Sequence, residues 1–117
     1  MSSLLFTLVI MSQLKMHQPI ADYTFNGPYV NLKRIPEVEG IYAVTCSDLK
    51  RHYLLDLGYS RNVRKSFSTN ARRGCWEKNK LGRIMYAYLH IAEIGKAGYI
   101  SIAREIRKKY SKIPCGE

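Results

Sequence analysis

The stretch Glu39-Gly40-Ile41-Tyr42-Ala43-Val44-Thr45-Cys46-Ser47-Asp48-Leu49-Lys50-Arg51-His52-Tyr53-Leu54-Leu55-Asp56-Leu57-Gly58-Tyr59-Ser60 decides how this chain is read. Its two halves are rich in β-branched, aromatic and leucine side chains. A polar gap carrying Ser47 and Asp48 separates them, which predicts two paired antiparallel strands, Gly40–Cys46 and His52–Leu57. The second run stops at Gly58 and a basic, helix-compatible segment follows. A strand that ends at a glycine before a helix turns backbone N–H groups outward, where an anion can sit.

Beyond this stretch, Ser60 offers a cap for a helix over Arg61–Asn70. Val63 and Phe67, four residues apart, share its inner face. Arg61, Arg64 and Lys65 then fall on its outer face. Ala71–Gly82 is broken by Gly74 and Gly82 and reads as a loop holding Arg72, Arg73, Lys78 and Lys80. Trp76, amid these cations, either anchors the loop to the core or offers a stacking surface to a base. Ile84–Ala92 reads as a third strand, with His90 as an ordinary strand residue. Gly95–Gly98 reads as a turn. Tyr99, Ile102, Ala103, Ile106 and Tyr110 then line one face of a final helix, Tyr99–Tyr110, with Arg104, Arg107 and Lys108 on the others.

Upstream, residues 12–38 are punctuated by Pro19, Pro28 and Pro36 and read as an irregular lead-in with a short strand near Tyr23–Phe25. Residues 3–11 are apolar but too short for a bilayer, which takes about 20 residues. They have no basic flank and no small-residue cleavage site. They are either a packed N-terminal element or a translated extension ahead of Met11. A chain of 117 residues forms one domain, placed at 23–117 behind an extension at 1–22.

The net charge of +10 points to a polyanion, with nucleic acid the usual one. An acidic protein partner is the other reading. Cys46, Cys75 and Cys115 form no close pair, and an odd count speaks for free thiols in a reducing, intracellular (cytoplasmic) compartment. A zinc site from Cys75, Cys115 and a histidine lacks recognisable ligand spacing.

Residues 23–117 resemble the GIY-YIG nuclease superfamily. Gly40-Ile41-Tyr42 matches the first triplet, and Asp56-Leu57-Gly58 stands at the second with its glycine kept. The approach Phe25-Asn26-Gly27-Pro28 through Leu32-Lys33-Arg34-Ile35-Pro36 is also similar. The resemblance implies an α/β (α+β) fold, a GIY-YIG-like three-stranded, mainly antiparallel sheet flanked by helices. It implies phosphodiester cleavage by a tyrosine that activates water, an arginine that steadies the phosphate, and a glutamate that holds a divalent metal.

Position by position the carry-over thins. Tyr42 is present. Asp56 replaces the second tyrosine, Ser66 stands at the arginine, Asn70 at the next polar residue and Ala103 at the glutamate. Only a slipped alignment would make Glu105 the metal ligand. The expectation is therefore a catalytically degenerate domain, leaning away from enzymatic activity. It would bind nucleic acid, DNA ahead of RNA, through Arg61, Arg64, Lys65, Arg72, Arg73, Lys78 and Lys80. No cofactor is expected, with Mg2+ or Mn2+ only if the site is live, and no membrane association. The enzyme reading is a divergent endonuclease with relocated groups, Asp56, Glu105 and His90.

Overall fold

The computed structural model describes residues 17–48, 51–110 and 112–116. The apolar run 3–11 and the tip of the turn at 49–50 lie outside the described residues. Five strands form one sheet: β1 (His17–Ile20), β2 (Tyr23–Tyr29), β3 (Gly40–Ser47), β4 (His52–Ser60) and β5 (Arg83–Leu89). Their order is β1-β2-β5-β3-β4 and every pairing is antiparallel. A 3₁₀ turn at Leu32–Arg34 and three helices complete the described chain: α1 (Val63–Thr69), α2 (Arg73–Asn79) and α3 (Gly95–Lys108).

This overturns the three-stranded GIY-YIG-like sheet expected from the sequence. Two further strands, β1 and β2, add to the free edge of β5. β2 carries the short strand expected near Tyr23–Phe25 on to Tyr29, and β1 comes from residues read as irregular. The two-residue turn Ala21–Asp22 has φ of 47° and 72° at its two positions, so both are left-handed. Hairpins favour that geometry, but usually announce it with Asn-Gly or Asp-Gly. β2 is interrupted by Asn26-Gly27-Pro28, which reads as a turn. In the structure the register shifts between Asn26 and Tyr29 and the strand continues.

Strand alternation sorts the core into two layers. Ile41, Ala43, Leu57, Ala87 and Leu89 meet Tyr99, Ala103 and Ile106 of α3 on one face. Tyr42, Val44, Cys46 and Leu55 meet Val63, Phe67 and Trp76 of α1 and α2 on the other. Gly40 is needed where β3 crosses β5, because a Cβ there would lie 2.3 Å from the Leu89 carbonyl oxygen.

Other element boundaries differ from expectation, and β4 runs past Gly58 to Ser60 instead of ending at Leu57. Asn62, not Ser60, caps α1: its Oδ1 accepts from Lys65 N at 3.1 Å, while Ser60 Oγ accepts from Asn62 N. The expected loop at 71–82 contains α2. β5 ends at Leu89, so His90 is exposed and outside the strand, its Nδ1 2.7 Å from Glu39 O. The expected turn 95–98 is the first turn of α3.

Candidate functional site

β4 is an outer strand of the sheet, and a bulge in it sets the site. Val44 pairs with Asp56 and Thr45 with Leu54, so Leu55 has no partner on β3. One extra residue rotates everything after it to the opposite face. Leu54 therefore joins the α3 layer while Leu55 and Asp56 both turn toward α1 and α2. Strict alternation would have placed Asp56 beside Leu54.

Asp56 is fully buried. Its Oδ1 accepts from Arg72 Nη1 at 2.8 Å and from Leu57 N at 2.8 Å, and its Oδ2 accepts from Trp76 Nε1 at 2.8 Å. Burial pushes the Asp56 carboxyl up; the Trp76 donor, the Arg72 guanidinium and the Leu57 N–H pull against that shift. Arg72, whose side chain is 37% exposed, also donates from Nη1 to Cys115 O at 2.9 Å. Arg72 was expected to be a free nucleic-acid contact, and instead it is the counter-ion of Asp56.

Cys115 is covalently held. Cys75 and Cys115 form a disulfide across a separation of 40 residues, so the expected free thiols are replaced by one bond and one buried thiol, Cys46. The cysteine argument for a reducing compartment loses its premise. Cys115 N donates to Leu55 O at 2.8 Å, which covers an outward carbonyl of β4. Arg107, placed on an outer helix face by the sequence reading, donates from Nη2 to Leu57 O at 3.0 Å. Its Nε is buried without a partner among the described residues. Arg107 follows Ala103 by one helical turn, and that spacing was the signal available in the sequence.

Tyr42 lies opposite Gly58 in the β3–β4 ladder. A Cβ on Gly58 would fall 2.7–2.8 Å from the Tyr42 hydroxyl and two of its ring carbons, so the hydroxyl end of the ring takes the space a side chain would need. Asn70 Nδ2 donates to the Tyr42 hydroxyl at 3.2 Å, and Asn70 Oδ1 accepts from Arg72 N at 2.8 Å. Burial first, then the Asp56 charge, raise the Tyr42 phenol above its ordinary value. Ser66, expected from the resemblance at the arginine position, bonds through Oγ to Ser60 Oγ. We expect Gly58→Ala to lose about 1–3 kcal/mol, the usual cost of overpacking. Chemical denaturation checks this, and an unchanged midpoint would mean the Tyr42 ring is free to move.

The structure thus brings Tyr42, Asp56, Gly58 and Asn70 together on the α1–α2 face, with Ser66 on the neighbouring helix. It does not bring Ala103, which is packed in the opposite layer. Glu105 is exposed and accepts from Tyr23 OH at 3.0 Å. His90 sits with Glu39 and Tyr99, at 3.4 Å from Tyr99 OH. The relocated set Asp56, Glu105 and His90 does not converge. The donor chemistry around Tyr42 does not fit Mg2+ or Mn2+, because the Asp56 oxygens are turned onto three protein donors. Among the described residues no group of three His, Cys, Asp or Glu side chains is placed to hold a metal.

The remaining cations lie on the α1–α2 layer. Arg64, Lys65 and Ser68 line a cleft of about 330 Å3 with Glu37. Arg73 Nη1 donates to Ser68 O at 3.1 Å, which ties α2 to the last turn of α1. Arg61 and Lys78 are exposed, and Lys80 is shared with Glu77 at 3.0 Å. Trp76 is 1% exposed, so the anchor reading holds and the stacking surface does not.

Among the described residues no helix is long and apolar enough to cross a membrane. Comparison of the chain with protein-family models, curated proteins and solved structures gives no match.

Proposed function

We propose that this domain binds the nucleic-acid backbone, DNA ahead of RNA, through the α1–α2 face, and that the Tyr42–Asp56 cluster supports that face without hydrolysing phosphodiesters. The observation that carries the reading is the cleft lined by Arg64, Lys65 and Ser68, with Arg73 bonded to the Ser68 carbonyl, on a chain of net charge +10. Cations that neutralise phosphates release counterions, and this supplies affinity without reading sequence. The resemblance of Gly40-Ile41-Tyr42 to GIY-YIG nucleases is a second support for a surface that meets phosphodiesters. Arg72 is left out of the contact set because Asp56 holds it.

Two points argue against cleavage. In the GIY-YIG resemblance Ser66 stands where the phosphate-steadying arginine belongs, and the Asp56 oxygens are already taken by Arg72, Leu57 N–H and Trp76. Supercoiled plasmid should therefore remain intact with excess protein and either magnesium or manganese. Nicking that disappears in Tyr42→Phe would return the protein to the endonucleases.

Binding is tested by anisotropy on random duplex and single-stranded oligonucleotides over a salt series. Arg64→Glu, Lys65→Glu and Arg73→Glu combined should weaken all sequences alike by at least about tenfold. They should lower the salt slope by about 2–3, one phosphate each. Absence of affinity at about 50 mM salt, where such contacts are strong, sinks the reading.

A further inference from the structure

We propose that Cys75–Cys115 is a thiol-exchange site, opened by a dithiol reductant, and that its state sets how firmly α2 is held on the sheet. Its effect on nucleic acid rests on the binding reading above. The two sulfurs differ in access: Cys75 is partly exposed, whereas Cys115 is buried. An incoming thiolate therefore reaches Cys75 Sγ. A new bond forms there, the Cys75–Cys115 bond breaks, and its electron pair leaves on Cys115 Sγ. The second thiol of the reductant then attacks its own sulfur in the mixed disulfide and expels Cys75 as a thiolate. The protein gains two electrons and, on protonation, two thiols; the dithiol becomes a disulfide. Asn79 Nδ2 lies 3.4 Å from Cys75 Sγ and 3.9 Å from Cys115 Sγ, placed to donate to either departing sulfur.

What the bond controls follows from Cys115. Its N–H covers the Leu55 carbonyl on the outer strand, and its carbonyl accepts from Arg72. Arg72 in turn meets Asp56, which meets Trp76. The covalent link runs from α2 to this backbone, so opening it removes the tether that keeps segment 112–116 on both β4 and Arg72. α2 is only seven residues long, and helices of that length are marginal without tertiary support. With α2 loosened, Arg73 and Lys78 must be ordered at the moment of binding, which weakens it.

The test equilibrates the intact protein in dithiothreitol without denaturant, alkylates it, and reads thiols by mass, amide exchange and duplex affinity. The expected result is two new alkylated cysteines beside a protected Cys46, faster exchange in α2, and affinity about tenfold lower. Cys75→Ser with Cys115→Ser should match the reduced protein and ignore dithiothreitol. A bond that opens only in denaturant overturns the proposal. So does a bond that opens with exchange in α2 and affinity unchanged. Failure of the unreduced protein to bind nucleic acid defeats the binding reading instead, while alkylation and exchange still decide the redox site.

Discussion

Asp56→Ala should remove about 2–6 kcal/mol of stability, the cost of leaving two buried donors bare. Domains of this kind hold only about 5–15 kcal/mol in total, so the variant would stand near the edge of folding. Truncation strips the acceptor from Arg72 Nη1, Leu57 N and Trp76 Nε1 in one step. Trp76 and Leu57 N–H have no water to turn to, and a buried donor left bare costs about 1–3 kcal/mol. Arg72 loses least, because its partly exposed side chain can reach solvent. Asp56→Asn is the informative companion. Its oxygen can accept from one side, but its amide must face another donor, so it should fall between wild type and alanine. Urea midpoints at constant slope give the order. A midpoint for Asp56→Ala within about 1 kcal/mol of wild type, the net worth of a single ordinary hydrogen bond, would mean that the carboxylate does not organise this face.

Asp56 also shows where sequence reading stops. The strand that carries it is plain from His52 to Leu57, and its pairing with Gly40–Cys46 follows from two β-rich runs around a polar gap. Which way Asp56 points is not plain. Alternation puts it with Leu54, and only the bulge at Leu55 sends it to the α1–α2 side. Nothing local marks that bulge. Gly58 reads as the stop of the second strand with its N–H groups turned outward, but β4 runs on to Ser60 and the glycine lies inside the ladder opposite Tyr42. Arg72 looked like one more surface cation, since its partner lies 16 residues upstream. The disulfide was hidden for the same reason. A separation of 40 residues says nothing about which sulfurs meet, and the odd count argued the wrong way. β1 stayed hidden because Ala21–Asp22 adopts a hairpin turn without its usual residues, and β2 was expected only near Tyr23–Phe25 because Asn26-Gly27-Pro28 reads as a stop.

The second large effect concerns Trp76, the chain's single tryptophan. α2 was illegible because Gly74 and four nearby cations offer no apolar stripe. Trp76 is the fully buried residue of that helix, with Cys75 partly buried beside it. It packs in the layer of Tyr42, Val44, Val63 and Phe67 and donates to Asp56. Trp76→Ala should therefore cost about 3–5 kcal/mol, the range for a large aromatic lost from a core. Trp76→Phe keeps most of the packing and drops the N–H, so about 1–2 kcal/mol is expected from the hydrogen bond to a charged acceptor. The two residues are also coupled. In an Asp56→Ala background the indole has no acceptor, so Trp76→Phe should become nearly neutral, leaving a coupling energy of about 1–2 kcal/mol. Additive costs would show that the indole and the carboxylate do not act as one unit. The same fluorophore tests its role on nucleic acid. An indole that is 1% exposed presents no face to a base, so saturating single-stranded oligonucleotide should leave its emission in place while urea shifts it to the red. Strong quenching on binding, with Trp76→Ala folded and unable to bind, would make Trp76 a stacking platform and not the anchor of α2.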